Sequence, residues 1–162
     1  METTDYIKRT LPDAILESHE AYAQDVIVIG AKALTRVAKI LRDELGFEIL
    51  IDVVALDWQK WPDKKPTRFE VDYFFLNTKT SARVHLKVPV SDDANPTLDT
   101  LSAIYPSANW AERECYDMMG IKFIGHPNLK RLLMWTEFIG HPLRKDYPLN
   151  RRQPLPVIDE IV

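Results

Sequence analysis

FEVDYFFLNTKTSARVHLKVPV, residues 69–90, contains two alternating runs joined by a short polar turn. Phe69, Val71, Tyr73 and Phe75 share one side of the first run, and Val84, Leu86, Val88 and Val90 share one side of the second. A period of two marks a half-buried strand. NTKTS, residues 77–81, is short enough to pair the runs as a hairpin. Glu70 and Asp72 then share the polar side with Arg83, His85 and Lys87, where cross-strand charge pairs add modest support. His85 reads as a sheet-surface residue, because no second metal ligand lies nearby in sequence.

Working upstream, Ile49–Asp57 is a mostly apolar run and reads as a buried strand. Lys32–Leu45 is the clearest helix: Leu34, Val37, Ala38, Leu41 and Leu45 form one stripe, and Gly46 suits its C-terminal end. Val26-Ile27-Val28-Ile29 reads as a strand ended by Gly30. Residues 14–20 read as a strand, with a helix over 14–23 as the alternative, and residues 3–10 give one or two helical turns before Pro12. The strand–glycine–helix order resembles a nucleotide-binding unit, but Gly30 stands alone and the phosphate-cradling GxGxxG is absent.

Downstream the pattern changes. Pro96 and Pro106 bracket a predicted short helix over Thr97–Tyr105. SANWAERECYDMMG follows, with Asn109 as expected N-cap, Glu112 three residues later as its capping-box partner, and Gly120 as the stop. Beyond Gly120 the periodicity fades into an ordered, irregular segment. The chain thus reads as strands and helices followed by an irregular extended C-terminal arm. Residues 1–120 form the core and 121–162 a docking segment and arm.

Composition narrows the chemistry. With 162 residues and 46% apolar content, the chain suits one domain with a real core. A net charge of −3 argues against a general nucleic-acid binder. The single cysteine, Cys115, excludes an internal disulfide or an all-cysteine cluster and fits a reducing compartment. Mid-helix on an apolar face, it reads as an inert small hydrophobe. No apolar run approaches the roughly 18–20 residues of a membrane span, and METTDYIKRTLPD has no apolar leader region.

The helix near 109–119 carries an apolar face of Ala108, Ala111, Cys115 and Met118 and a mixed opposite side of Trp110, Glu112, Arg113, Glu114 and Asp117. Trp110 and Arg113 are spaced to stack, and Arg113 and Asp117 to pair. Tryptophan and arginine among mixed charges suit a subunit interface better than solvent. No nucleophile, base and orienter set is recognisable. FIGHP occurs twice, at 123–127 and 138–142, fifteen residues apart. Glycine permits positive φ and proline extends the preceding histidine, so each copy reads as an anchored turn. A metal site on His126 and His141 would need further ligands at protein-like spacing, which four scattered histidines do not offer.

AERECYDMMGIKFIGHPNLKRLLM followed by GHPLRKDYPL closely resembles the pattern of the 30-kDa subunit family of respiratory complex I, also called the C-subunit of NADH-quinone oxidoreductase. The pattern falls on Glu112, Arg113, Glu114, Tyr116, Asp117, Gly120, Ile121, Phe123, Gly125, His126 and Pro127, then on Gly140 to Leu149. Met119 stands where the family often has Phe or Leu, and thirteen residues follow Leu149. The resemblance implies an α+β fold, a single domain with a mixed β-sheet covered by helices plus an irregular extended C-terminal arm, and a cofactor-free subunit of the hydrophilic arm. It docks on the large quinone-site subunit beside the subunit with the terminal iron–sulfur cluster, while FMN, the clusters and quinone are bound by other subunits. It implies a peripheral position on the cytoplasmic side of a bacterial inner membrane, or on the matrix side in mitochondria, and no contact with nucleic acid. Interface residues on this reading are Trp110, Glu112, Arg113, Glu114, Asp117, His126, Pro127, His141, Pro142, Arg144, Lys145, Asp146 and Tyr147, with none catalytic and none binding metal or cofactor. The rivals are the equivalent subunit of a hydrogenase, formate hydrogenlyase or ferredoxin-dependent photosynthetic complex, and a free-standing metal-dependent enzyme.

His141–Val162 carries prolines at 142, 148, 154 and 156. Between His141 and Arg152, Arg144, Lys145, Arg151 and Arg152 oppose Asp146, a local excess of +3. Few apolar residues hold this stretch down, so an arm wrapping across a neighbour is predicted, its arginines binding carboxylates there.

Overall fold

The computed structural model describes residues 2–63 and 65–154. The elements run α1 (Glu2–Thr10), β1 (Ile15–Ala21), β2 (Gln24–Ile29), a 3-10 turn (Ala31–Ala33), α2 (Leu34–Asp43), β3 (Ile49–Asp57), β4 (Phe69–Leu76), β5 (Arg83–Val90), β6 (Thr97–Asp99), α3 (Ala108–Met119) and β7 (Lys122–Ile124). Five strands form a mixed sheet in the order β1-β2-β5-β4-β3. Only β2 and β5 pair in parallel within it. That parallel step needs a crossover, and α2 lies on the connection. The fold is therefore α+β, as the resemblance implied, and residues 15–21 resolve to strand.

The hairpin forms as predicted, and the structure sets its register. Tyr73 faces Leu86, Val71 faces Val88 and Phe75 faces Val84. All six are buried on one side, joined by Ile7 of α1, by Leu34, Val37, Ala38 and Leu41 of α2, and by Ala108, Cys115 and Met118 of α3. Each large side chain so buried contributes about 1.5–3 kcal/mol relative to exposure. On the opposite side Asp72 meets His85 at 2.7 Å and Lys87 lies 3.4 Å from Glu70, so the predicted charge ladder forms.

Three local expectations fail, each for a tertiary reason. β3 is not buried throughout: Ile49, Ile51 and Val54 are exposed, because β3 is an edge strand whose outer face no helix covers. Its edge is partly occupied by α3, from which Ser107 Oγ and Cys115 Sγ donate to the Leu50 and Val53 carbonyls. Thr97–Tyr105 is not a helix. Thr97–Asp99 pairs in parallel with β7, and a single turn closes on the Leu101 carbonyl. Asn109 does not cap α3: the helix starts at Ala108, and the Ala108 and Asn109 N–H groups donate to Tyr105 and Pro106 carbonyls instead. Gly120 does end α3, at φ +73°. Ile121 and Phe123 belong to the same core as the rest, and β7 follows at once, so Gly120 ends α3 but neither the packing nor the regular structure.

The Tyr73 hydroxyl is buried without a hydrogen-bond partner among the described residues. Leaving such a group unpaired costs about 1–3 kcal/mol. Tyr73→Phe is expected to raise the melting temperature by a few degrees, whereas Tyr73→Ala lowers it steeply. Calorimetry checks both, and a Phe variant less stable than the parent contradicts the assignment.

Candidate docking surface

Residues 121–154 fold around α3, and the buried carboxylate of Asp117 organises them. Its Oδ2 accepts the N–H groups of Leu132, Leu133 and Met134 at 2.8–2.9 Å. Its Oδ1 takes Arg131 Nη1 at 2.6 Å. Burial opposes ionisation of Asp117, but these donors outweigh it and hold the carboxyl below the usual range. Arg131 passes the order onward, donating from Nη2 to the Phe138 and Gly140 carbonyls. Arg113 donates to the carbonyls of Lys130 and Arg131 and lies over the Trp110 ring at 5.2 Å. The predicted Trp110–Arg113 stack is present. The predicted Arg113–Asp117 pair is not, since each group serves the incoming segment.

The two FIGHP copies bind opposite ends of α3. Gly125 and Gly140 both adopt positive φ, as an anchored turn requires. Phe123 is buried and Phe138 half-buried, while Ile124 and Ile139 face outward. His126 accepts the Asn128 N–H at Nδ1 and so donates from Nε2 to the Asn109 carbonyl at 3.0 Å. His141 donates from Nδ1 to the Asp117 carbonyl at 2.9 Å. The histidines thus meet carbonyls eight residues apart on one helix, about 12 Å at the usual rise. They are not brought together to share a metal.

The second copy is a C-terminal cap built from distant sequence. A helix leaves its last carbonyls without partners. Here Leu143 N–H donates to Met118, and Arg144 Nε to Met119 at 2.6 Å, beside the His141 bond to Asp117. Arginine at a helix C-terminus also complements the dipole. Gly120 makes room: a Cβ there would lie 2.5 Å from the His141 ring and 2.6 Å from Arg144. Asp57, at the end of β3, is a second buried anchor. It accepts the Lys145 N–H at 2.9 Å and Arg68 at 2.8 Å, and Arg68 also pairs with Asp146 at 3.0 Å. Gln153 closes the chain back by bonding both the N–H and the carbonyl of Ile139.

These contacts correct the picture of a free arm. From His141 to Gln153 the segment lies on its own domain, held by side chains that grip backbone rather than by apolar burial. The remainder of the predicted arm, 155–162, lies outside the described residues. Glu112 and Asp117 are corrected as well. Both are 0% exposed, so neither side chain presents itself to a partner. Glu112 accepts the Leu101 N–H at 2.7 Å and the Thr100 hydroxyl, fastening the β6 turn to α3. Arg113, His126, His141, Pro142, Arg144 and Tyr147 are half-buried in the clamp. What faces outward is Trp110, Glu114, Pro127, Lys145 and Asp146 of the predicted set, with Leu133, Ile139, Leu143 and Leu149, which sequence reasoning missed. Of twelve exposed large hydrophobics among the described residues, six fall between Trp110 and Leu149.

The family described as respiratory-chain NADH dehydrogenase, 30 Kd subunit, matches residues 27–153. The chain belongs to that family. The C-subunit of NADH-quinone oxidoreductase from Citrifermentans bemidjiense is 38% identical over 144 residues, 89% of this chain and 86% of the relative. The same subunit from a Roseiflexus species is 40% identical over 149 residues, 91% and 83% of the two chains. Among solved structures, the trypsin-resistant fragment of Nqo5 aligns with a TM-score of 0.70 at 27% identity, covering 80% of this chain and all of the fragment. A chain of an archaeal membrane-bound sulfane sulfur reductase shares the fold at 22% identity, with a TM-score of 0.74 over 92% of this chain and 85% of that one. In this member of the 30-kDa subunit family, the clamp gives the Glu-Arg-Glu and Gly-His-Pro residues a physical role.

Two outcomes follow from the clamp. Gly120→Ala must adopt a left-handed backbone, at about 1–2 kcal/mol, and displace His141 and Arg144. Trypsin is expected to cut this variant faster after Arg144 and Lys145, as read by mass spectrometry; unchanged cleavage contradicts the cap. Glu112 supplies the second. Burial raises its pKa to about 7, against the Thr100 and Leu101 bonds. The folded state therefore holds this proton more tightly than the unfolded chain. The stabilisation is complete below the ordinary carboxylate pKa and declines by up to about 3 kcal/mol as pH rises to about 7. His141, whose pKa burial holds below its ordinary value, acts in the opposite sense, its contribution being lost as pH falls below that ordinary value. The melting temperature of Glu112→Gln relative to the parent isolates the first effect: the difference should shift in favour of glutamine from pH 5 to pH 7.5. A constant difference contradicts it.

Proposed function

We propose that this chain is a non-catalytic subunit of the hydrophilic arm of a proton-pumping NADH:quinone oxidoreductase, and that it acts by docking. The observation that carries this reading is the division of labour in residues 109–153. Every buried ionic group of the clamp is bonded within the chain, while Trp110, Leu133, Ile139, Leu143 and Leu149 of the same stretch are exposed, as are the charged Glu114, Lys130 and Lys145. Apolar anchors within a charged rim suit a protein interface. On this reading the neighbours are chiefly the large quinone-site subunit and the subunit with the terminal iron–sulfur cluster. Those subunits carry the electrons, and this chain holds none of the redox groups.

No helix among the described residues is long and apolar enough to cross a membrane. A peripheral place in the arm fits that, on the cytoplasmic side in a bacterium or the matrix side in a mitochondrion. The carbonyl-bound His126 and His141 do not favour a metal-dependent enzyme.

The test is assembly. Leu133→Asp and Leu149→Asp alter side chains 57% and 100% exposed, so the purified variants should melt with the parent. In the native host, the two together should deplete the assembled complex on native gels and reduce NADH:quinone activity in proportion. Normal abundance and activity would overturn the docking reading.

A further inference from the structure

We propose that the loop Trp58–Arg68 completes the docking surface, and that the joined surface takes a carboxylate-rich face of a neighbouring protein subunit. This rests on the docking reading above and extends it to a loop outside the Glu-Arg-Glu and Gly-His-Pro motifs, joined to the clamp through Arg68. The loop and the irregular segment share one anchor. Asp57 accepts Arg68 on one side and the Lys145 N–H on the other, and Arg68 bridges to Asp146. The described residues of the loop hold one another: Trp61 N–H donates to the Trp58 carbonyl, the two rings meet edge to face at 5.2 Å, and Lys65 lies over Trp58 at 5.1 Å. Trp61 nevertheless remains 56% exposed, an expensive aromatic to leave in water.

Charge chooses the partner. Residues 1–120 carry 14 cationic and 20 anionic side chains, a net of −6, whereas 121–154 carry 7 and 2, a net of +5. The clamp does not need this surplus, since Arg131 and Arg144 alone among the seven serve it through their side chains. Lys60, Lys65, Lys130, Lys145, Arg151 and Arg152 are exposed and form no ion pair among the described residues. Against them stand Asp63, Glu114 and Glu137, with Asp146 engaged by Arg68, so the exposed cations still outnumber the anions. A cationic surface studded with Trp61, Leu143 and Leu149 matches a partner that offers Asp and Glu around apolar sockets. Opposed potentials would also steer the encounter.

The experiment uses the assembled complex in its native host. Trp61→benzoylphenylalanine and Leu149→benzoylphenylalanine are irradiated separately, and adducts are identified by mass spectrometry. Lys60→Glu combined with Lys65→Glu is assayed for the NaCl concentration that strips this chain from the complex. Expected are adducts from both positions to another subunit, at a peptide rich in Asp and Glu. The salt threshold should fall by at least about two-fold while the purified variant melts as the parent does. Adducts from 149 but not 61 would leave docking intact and remove the loop from it. An unchanged salt threshold would overturn the acidic partner. Adducts to lipid or to a second copy of this chain would reassign the surface. Adducts from neither position would sink the docking reading and this inference together.

Discussion

The carboxylate of Asp117 is the point on which the second half of this chain turns. One buried group collects three consecutive backbone N–H donors and one guanidinium, and that guanidinium fixes two further carbonyls at 138 and 140. A buried carboxylate is costly unless its oxygens are filled. Filling them from residues 131–134 is what lets a segment without repeated structure take one path. The path then returns to the same helix, where His141 bonds the carbonyl of Asp117 itself. Removing a single partner of such a pair typically costs about 3–5 kcal/mol, so the clamp is cooperative by construction.

This arrangement changes what the family pattern means in this chain. Glu112, Arg113, Asp117, His126, His141 and Arg144 look, as residue types, like a catalytic or contact set. Each instead bonds backbone elsewhere in the chain: Glu112 the Leu101 N–H, Arg113 the carbonyls at 130 and 131, His126 that of Asn109, Arg144 that of Met119. Their spacing is dictated by the two ends of α3 and by Gly120, the one position where a Cβ would block the cap. Specificity toward a partner is left to the side chains the clamp holds outward.

Much of the sheet was legible because its signals are local. The alternation of 69–76 and 83–90 gave strands and faces, and the ladder from Glu70 to Lys87 followed. β3 was legible as a strand but not as an edge, since Ile49, Ile51 and Val54 are apolar whether or not something covers them. The clamp was hidden for the opposite reason. Helical spacing offered Arg113 to Asp117, yet the partner that wins lies fourteen residues on, at Arg131. Counting apolar residues in 141–153 pointed to a loose arm. The grip comes from backbone N–H and carbonyl groups, such as Lys145 on Asp57 and Leu143 on Met118, which composition does not register. Gly120 was readable as a helix stop, while its second task, admitting His141 and Arg144, needed the fold.

Amide hydrogen exchange on the isolated chain tests the central claim most directly. If Asp117 organises the segment, the amides of Leu132, Leu133, Met134, Leu143 and Lys145 exchange slowly with no partner subunit present, and Asp117→Asn exposes the first three while the β4–β5 hairpin stays protected. Fast exchange at those five amides in the parent chain, or undiminished protection in the variant, would contradict it.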